Sequence, residues 1–122
     1  MQDTSKLLTG LHLIFQATGC NRQKINDEKH ISQTLLSLLT EIKMTRVGGP
    51  YTVRIGDQPD KSGITSVVLM SESHASIHTW PEFGYFEMDI YSCKTFDVDK
   101  ALEVIKKAFD VKQFENLQVI KR

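Results

Sequence analysis

Two apolar periods divide this chain of 122 residues. Ile31, Leu35, Leu36, Leu38, Leu39 and Ile42 recur at steps of three and four. That is the spacing of one helix face, so a helix is predicted from about Asp27 to Met44. Asn26 or Asp27 can cap it, with Glu28 near its positive end. Ala101, Leu102, Val104, Ile105 and Phe109 mark a second helix, opened by Phe96-Asp97-Val98-Asp99 with Asp97 or Asp99 as its cap. Elsewhere the period is two or the residues are β-branched, which predicts strands at 11–17, 51–55, 64–72, 74–80 and 84–92. Gln113 to Ile120 is read as a returning edge strand. Thr18-Gly19-Cys20-Asn21, Gly48-Gly49-Pro50 and the loop Gly56 to Gly63 punctuate the pattern. Residues 1–8 are polar and expected to fray. Helices on one side of a largely antiparallel sheet make a two-layer α+β sandwich.

A chain of this length is one domain and can bury a core without disulfides or metal. Fifteen Lys and Arg balance fifteen Asp and Glu, which argues against a nucleic-acid or membrane partner held by charge. The two cysteines, Cys20 and Cys93, are too few for a secreted disulfide framework, so reduced thiols in the cytoplasm are expected. Cys20 reads as a small buried residue. No paired His or Cys spacing suggests a metal, and no signal peptide or membrane span is evident.

One stretch breaks the bland pattern. Ser71-Glu72-Ser73-His74-Ala75-Ser76-Ile77-His78-Thr79-Trp80-Pro81-Glu82 places hydroxyls, two imidazoles and two carboxylates between two apolar strands. Such a segment is costly unless it is well hydrogen-bonded or does chemistry. With Asp89 and Cys93 following in register, it resembles the short bacterial and archaeal S-adenosylmethionine decarboxylases. The match is dense over 71–93 and looser over the rest. His12 at a strand start and Cys20 followed by an amide also resemble the family.

The resemblance implies a self-processing, pyruvoyl-dependent carboxy-lyase that supplies decarboxylated S-adenosylmethionine for spermidine synthesis. Side chains are poor electron sinks, and a pyruvoyl group, through a Schiff base with the substrate amine, is a good one. In this family the group is made from a serine that attacks the preceding carbonyl. Carried over, Ser73 is the precursor and the cut falls between Glu72 and Ser73, giving a β chain 1–72 and an α chain 73–122. His78 becomes the base of the elimination, a task that suits a group titrating near neutrality. Thr65 stands where the family commonly has a serine that stabilises the oxygen-bearing intermediate; a hydroxyl survives the change, but the extra methyl narrows its rotamers. Cys93 becomes the acid that returns a proton to the substrate carbon. Glu82 matches a carboxylate that binds the substrate ribose. Glu72 and Tyr51 join it as substrate-binding candidates. The family also implies protomers that pair into a four-layer αββα homodimer with active sites near the interface.

Two departures bear on the substrate. The aromatic that often precedes the processing serine and stacks on adenine is replaced by Pro59, leaving Tyr51 or Phe15 as substitutes. Lys94 follows the catalytic cysteine where glycine is usual. A pocket without that ring but with Asp57 and Asp60 would suit a basic amino acid, so ornithine or arginine is the alternative substrate. A non-processing regulatory homologue is the remaining alternative. The hairpin geometry adds one expectation. If 64–71 and 74–80 pair with the tip near Glu72, Thr65 and His78 are cross-strand neighbours. His78 then lies five residues from Ser73, roughly 16 Å at 3.3 Å per residue, too far to act on it within one chain.

Overall fold

The computed structural model describes residues 4–58 and 61–122, and the backbone alone of residues 6 and 7. Six strands form one antiparallel sheet: β1 (Leu11–Thr18), β2 (Arg46–Ile55), β3 (Gly63–Met70), β4 (Ser73–Trp80), β5 (Tyr85–Ser92) and β6 (Gln113–Lys121). Their order across the sheet is β2-β3-β4-β5-β1-β6. Helices α1 (Glu28–Glu41) and α2 (Val98–Phe109) pack against one face. Their apolar sides, Ile31, Leu35, Leu38 and Leu39 with Ala101, Ile105 and Phe109, enter a single core cluster with Leu13, Phe15, Val68, Ile77, Phe86 and Ile90 of the strands. Each large apolar side chain fully buried there contributes about 1.5–3 kcal/mol. This is the predicted α+β sandwich. No helix among the described residues is long and apolar enough to cross a membrane.

The helix boundaries follow from their caps. Asp27 accepts from the His30 N–H at 3.0 Å and Asp97 from the Lys100 N–H at 3.0 Å, each satisfying a donor that the first turn leaves open. Arg54 on β2 reaches Glu28, Asn26 and Ser62, and so ties the start of α1 to the end of the 56–63 loop. Cys20 is buried as expected, and burial pushes its thiol up to about 11.

Two expectations are corrected. Gly48-Gly49-Pro50 does not break the chain but lies inside β2, which runs ten residues. Its register shifts between Arg46 and Gly48 and again between Gly48 and Tyr51. The strand is an edge, where proline's missing N–H costs no ladder bond. Glycine suits the irregular backbone, since Gly49 has φ +82°. Of the N-terminal residues 1–8, read as frayed, Ser5–Leu8 forms a short 3-10 helix, and residues 1–3 lie outside the described residues.

Among the described residues, no α-helix packs on the opposite face of the sheet. There the alternation presents Thr65, His74, Ser76, His78, Glu87, Asp89, Tyr91 and His12, the polar partners of the core residues on the same strands. The polar stretch seen in the sequence is therefore one side of β4, aimed away from the core.

Candidate active site

The sharpest feature is the β3–β4 tip. Met70 pairs with Ser73, so only Ser71 and Glu72 form the turn. The Ser71 N–H donates to Thr45 at 2.9 Å. The Glu72 side chain lies between the Thr45 N–H at 3.2 Å and the Lys94 ammonium at 3.4 Å. Burial raises the Glu72 carboxyl, but the bonds from Thr45 and Ser71 and the adjacent Lys94 charge outweigh it and hold the group below its ordinary value. Lys94, a departure from the family pattern, thus acquires a partner. The Glu72 main-chain carbonyl accepts from the Cys93 N–H at 2.8 Å. Ser73 itself has φ +152°, a conformation that non-glycine residues avoid and that costs about 1–3 kcal/mol.

That backbone twist also decides where the serine points. In regular register Ser73 would follow Ala75 and Ile77 into the core. Instead its Oγ accepts from Arg122 at 3.2 Å, and Arg122 lies over the ring of Tyr91 on the open face. The peptide Glu72–Ser73 therefore combines a strained residue, a polarised carbonyl and a hydroxyl held outside the core. Cys93 follows β5 directly, is exposed and is unpaired with Cys20.

A second cluster lies further along the hairpin. Thr65 and His78 are direct cross-strand partners, with Thr65 Oγ1 and His78 Nδ1 3.1 Å apart. They border a cavity of about 370 Å³ whose wall includes Gly56, Lys61 and Ser62 of the loop, with Trp80 and Glu82 at its side. Glu82 sits on the 3-10 helix Pro81–Phe83, which proline starts and Gly84 ends in left-handed conformation. The two ends of the loop, Gly56 and Lys61 to Gly63, thus form a pocket wall. Trp80, two residues past His78 and so on the same side of β4, leans on Tyr85 with ring centroids 5.3 Å apart. Sequence reasoning passed over it, although its parity with His78 was legible.

The substitutes for the missing ring fare differently. Phe15 is 1 % exposed in the core and cannot stack on a ligand. Tyr51 is exposed on β2, but its hydroxyl lies over Gly48, and it is not brought to Glu82. Asp57 lines a cavity with Arg54 and Asn26, while Pro59 and Asp60 lie outside the described residues.

Ser73 and His78 are not brought together within one chain. The pairing from Met70–Ser73 to Thr65–His78 is continuous, so the five-residue spacing along β4 stands unbent. Between the two clusters lies Asp89, which sequence reasoning quoted without a partner. His12 Nε2 approaches its carboxylate at 2.8 Å and His74 Nε2 at 3.2 Å, and the Ser76 hydroxyl donates to it. Burial raises the Asp89 carboxyl, but these bonds and the neighbouring His74 bring it below its ordinary value of 3.8.

Comparison with known proteins identifies the family. A profile of the S-adenosylmethionine decarboxylase family matches residues 11–122. The S-adenosylmethionine decarboxylase proenzyme of Archaeoglobus fulgidus is 31% identical over 111 residues, covering 90% of this chain and 95% of its own. That of Pyrococcus horikoshii is 34% identical over 114 residues, covering 93% of this chain and 78% of its own. The crystal structure of the adenosylmethionine decarboxylase from Aquifex aeolicus superposes with a TM-score of 0.76 at 31% identity, over 94% of this chain and 91% of that one. The chain therefore belongs to the S-adenosylmethionine decarboxylase family of pyruvoyl-dependent carboxy-lyases.

Proposed function

We propose that this chain is a proenzyme that cuts itself between Glu72 and Ser73 and then decarboxylates S-adenosylmethionine. The observation that carries the reading is the tip: strained Ser73, its hydroxyl outside the core, and the Glu72 carbonyl hydrogen-bonded by the Cys93 N–H. These residues fit a serine-derived pyruvoyl group, because each feature favours attack of Ser73 on Glu72 over an inert peptide bond. Once formed, that group supplies the electron sink that decarboxylation needs. The chain's own residues do the rest. The Cys93 N–H stabilises the oxygen that gains charge during the attack. The Cys93 thiol, at the same end of β5, returns a proton to the substrate carbon. His78, oriented by Thr65, removes the Ser73 α-proton. Glu82 holds the ribose in the cavity beneath the 56–63 loop, and Trp80 offers its ring to adenine.

His78 and Ser73 are five residues apart on one regular strand, which favours service in trans. A two-fold dimer pairing the open faces would bring the Thr65–His78 pair of one protomer to the Ser73 of the other. The open face carries exposed Tyr51, Val53, Leu69 and Ile120, apolar area that a facing sheet would cover. The ornithine or arginine alternative rested on Asp57 and Asp60, and the relatives' names favour S-adenosylmethionine.

The test is direct. Purified wild-type protein should run as two pieces on a denaturing gel, the C-terminal one with a blocked N-terminus, and Ser73→Ala as one chain. Carbon dioxide should be released from S-adenosylmethionine and not from ornithine or arginine. Cleavage persisting in Ser73→Ala, or an intact and inactive wild type, would overturn the reading.

A further inference from the structure

We propose that Arg122 is a catalytic residue of the self-cleavage, stabilising the Glu72 carboxylate that departs when the Ser73 side chain is eliminated. The inference rests on the self-processing reading above.

Arg122 is 49 residues from Ser73, and the sheet order brings the two together. Ser73 is paired with Ser92, Ser92 with Leu11 and Leu11 with Lys121, so the residues form one row across four strands. Three contacts fix the arginine. Its N–H donates to Gly10 at 3.1 Å. Its side chain crosses Gly10, where a Cβ would lie 2.8 Å from Arg122 Cδ and 3.2 Å from Arg122 Cβ. Its guanidinium carbon sits 3.5 Å from the centre of the Tyr91 ring. Of the guanidinium donors, Nη1 points at Ser73 Oγ at 3.2 Å. Two other cations near the tip are engaged elsewhere, Lys94 by the Glu72 side chain and Arg46 by the Gly49 carbonyl.

The chemistry gives that contact a direction. In the first step Ser73 Oγ bonds to the Glu72 carbonyl carbon, the C–N bond breaks, and the amide nitrogen takes the hydroxyl proton. The product is an ester whose bridging oxygen is the former Oγ. In the second step a base takes the Ser73 α-proton. The released electron pair forms the Cα–Cβ double bond, the Cβ–Oγ bond breaks, and its pair stays on Oγ. That oxygen leaves as part of the Glu72 carboxylate. Negative charge therefore grows on the atom at which Arg122 already aims. A guanidinium binds a carboxylate far better than a neutral hydroxyl, so the interaction strengthens as the bond breaks.

The experiment follows fresh precursor on denaturing gels, with and without hydroxylamine, which cleaves an ester and spares an amide. Arg122→Gln should slow the appearance of two pieces by at least about tenfold, the effect of losing one donor aimed at developing charge. The uncut material that accumulates should be split by hydroxylamine. Arg122→Lys should recover part of the rate. The proposal is overturned if Arg122→Gln cleaves at the wild-type rate. It is equally overturned if the uncut chain of Arg122→Gln and Arg122→Lys resists hydroxylamine, since the block would then precede the ester. If the wild type itself stays uncut, or Ser73→Ala is cut, the self-processing reading fails instead.

Discussion

The Cys93 N–H donates to the Glu72 carbonyl at 2.8 Å, while the Cys93 thiol is exposed. On the proposed function this one residue would serve cleavage with its main chain and decarboxylation with its side chain, and the two roles are separable. Cys93→Ala keeps the N–H and should be cut at the wild-type rate, yet release carbon dioxide roughly a hundredfold more slowly for want of a proton donor. Cys93→Pro removes the N–H and should slow the cut itself by about a hundredfold. Gel time courses and gas release measure the two effects. Uncut Cys93→Ala would show that the thiol, and not the N–H, serves cleavage.

Subunit mixing tests the trans arrangement. Alone, Ser73→Ala protein should stay uncut and His78→Ala protein should cut slowly. In a mixed dimer the intact Ser73 of one protomer meets the intact His78 of the other, and cleavage of the Ser73-bearing chain should appear. Verified exchange without cleavage would place both groups in one chain.

For substrate affinity the ring to remove is Trp80. Trp80→Leu should raise KM for S-adenosylmethionine by about tenfold, the scale of one base–aromatic stack, with cleavage unaffected. Tyr51→Ala should leave KM nearly unchanged. Phe15→Ala should instead lose about 3–5 kcal/mol of stability, because it opens a hole in the core. A KM that follows Tyr51 and ignores Trp80 would move adenine to the β2 edge.

Asp89 gives a pH signature. Its folded-state pKa lies below the ordinary 3.8, so the folded protein binds fewer protons there than the unfolded chain. Its contribution to stability is full above the ordinary value and is lost as pH falls through the lower folded one. At neutral pH Asp89→Asn should cost about 2 kcal/mol, the worth of hydrogen bonds to a charged group whose side chain is 23 % exposed. Melting curves of the two proteins should converge in acid. A constant gap from neutral to acid pH would remove Asp89 as the cause.

Much of this was legible in the chain because it is local. The hairpin's alternation put Thr65 opposite His78 before any coordinates, and the helices announced themselves by their period and their Asp caps. What stayed hidden is non-local or irregular. Gly48-Gly49-Pro50 looks like a stop, and only an edge position lets it continue a strand. Phe15 looks available until α2 and β6 pack around it. Arg122 carries no pattern at all, and it reaches Ser73 only because β6 closes on β1 and β1 on β5. Trp80 was visible but was read as a letter of the motif and not as a wall.

The strand order also settles what a cut at the tip can do. Residues 1–72 contain β1, β2 and β3, and residues 73–122 contain β4, β5 and β6. Across β2-β3-β4-β5-β1-β6 the first piece holds the first, second and fifth places, and the second piece holds the others. The two polypeptides are interleaved like fingers, with β1 clasped between β5 and β6. Pulling them apart means breaking the β3–β4, β5–β1 and β1–β6 ladders and opening the shared core. The proposed cut would therefore liberate a chain end at Ser73 without liberating a chain, and its product would be a heterodimer that only a folded precursor could make.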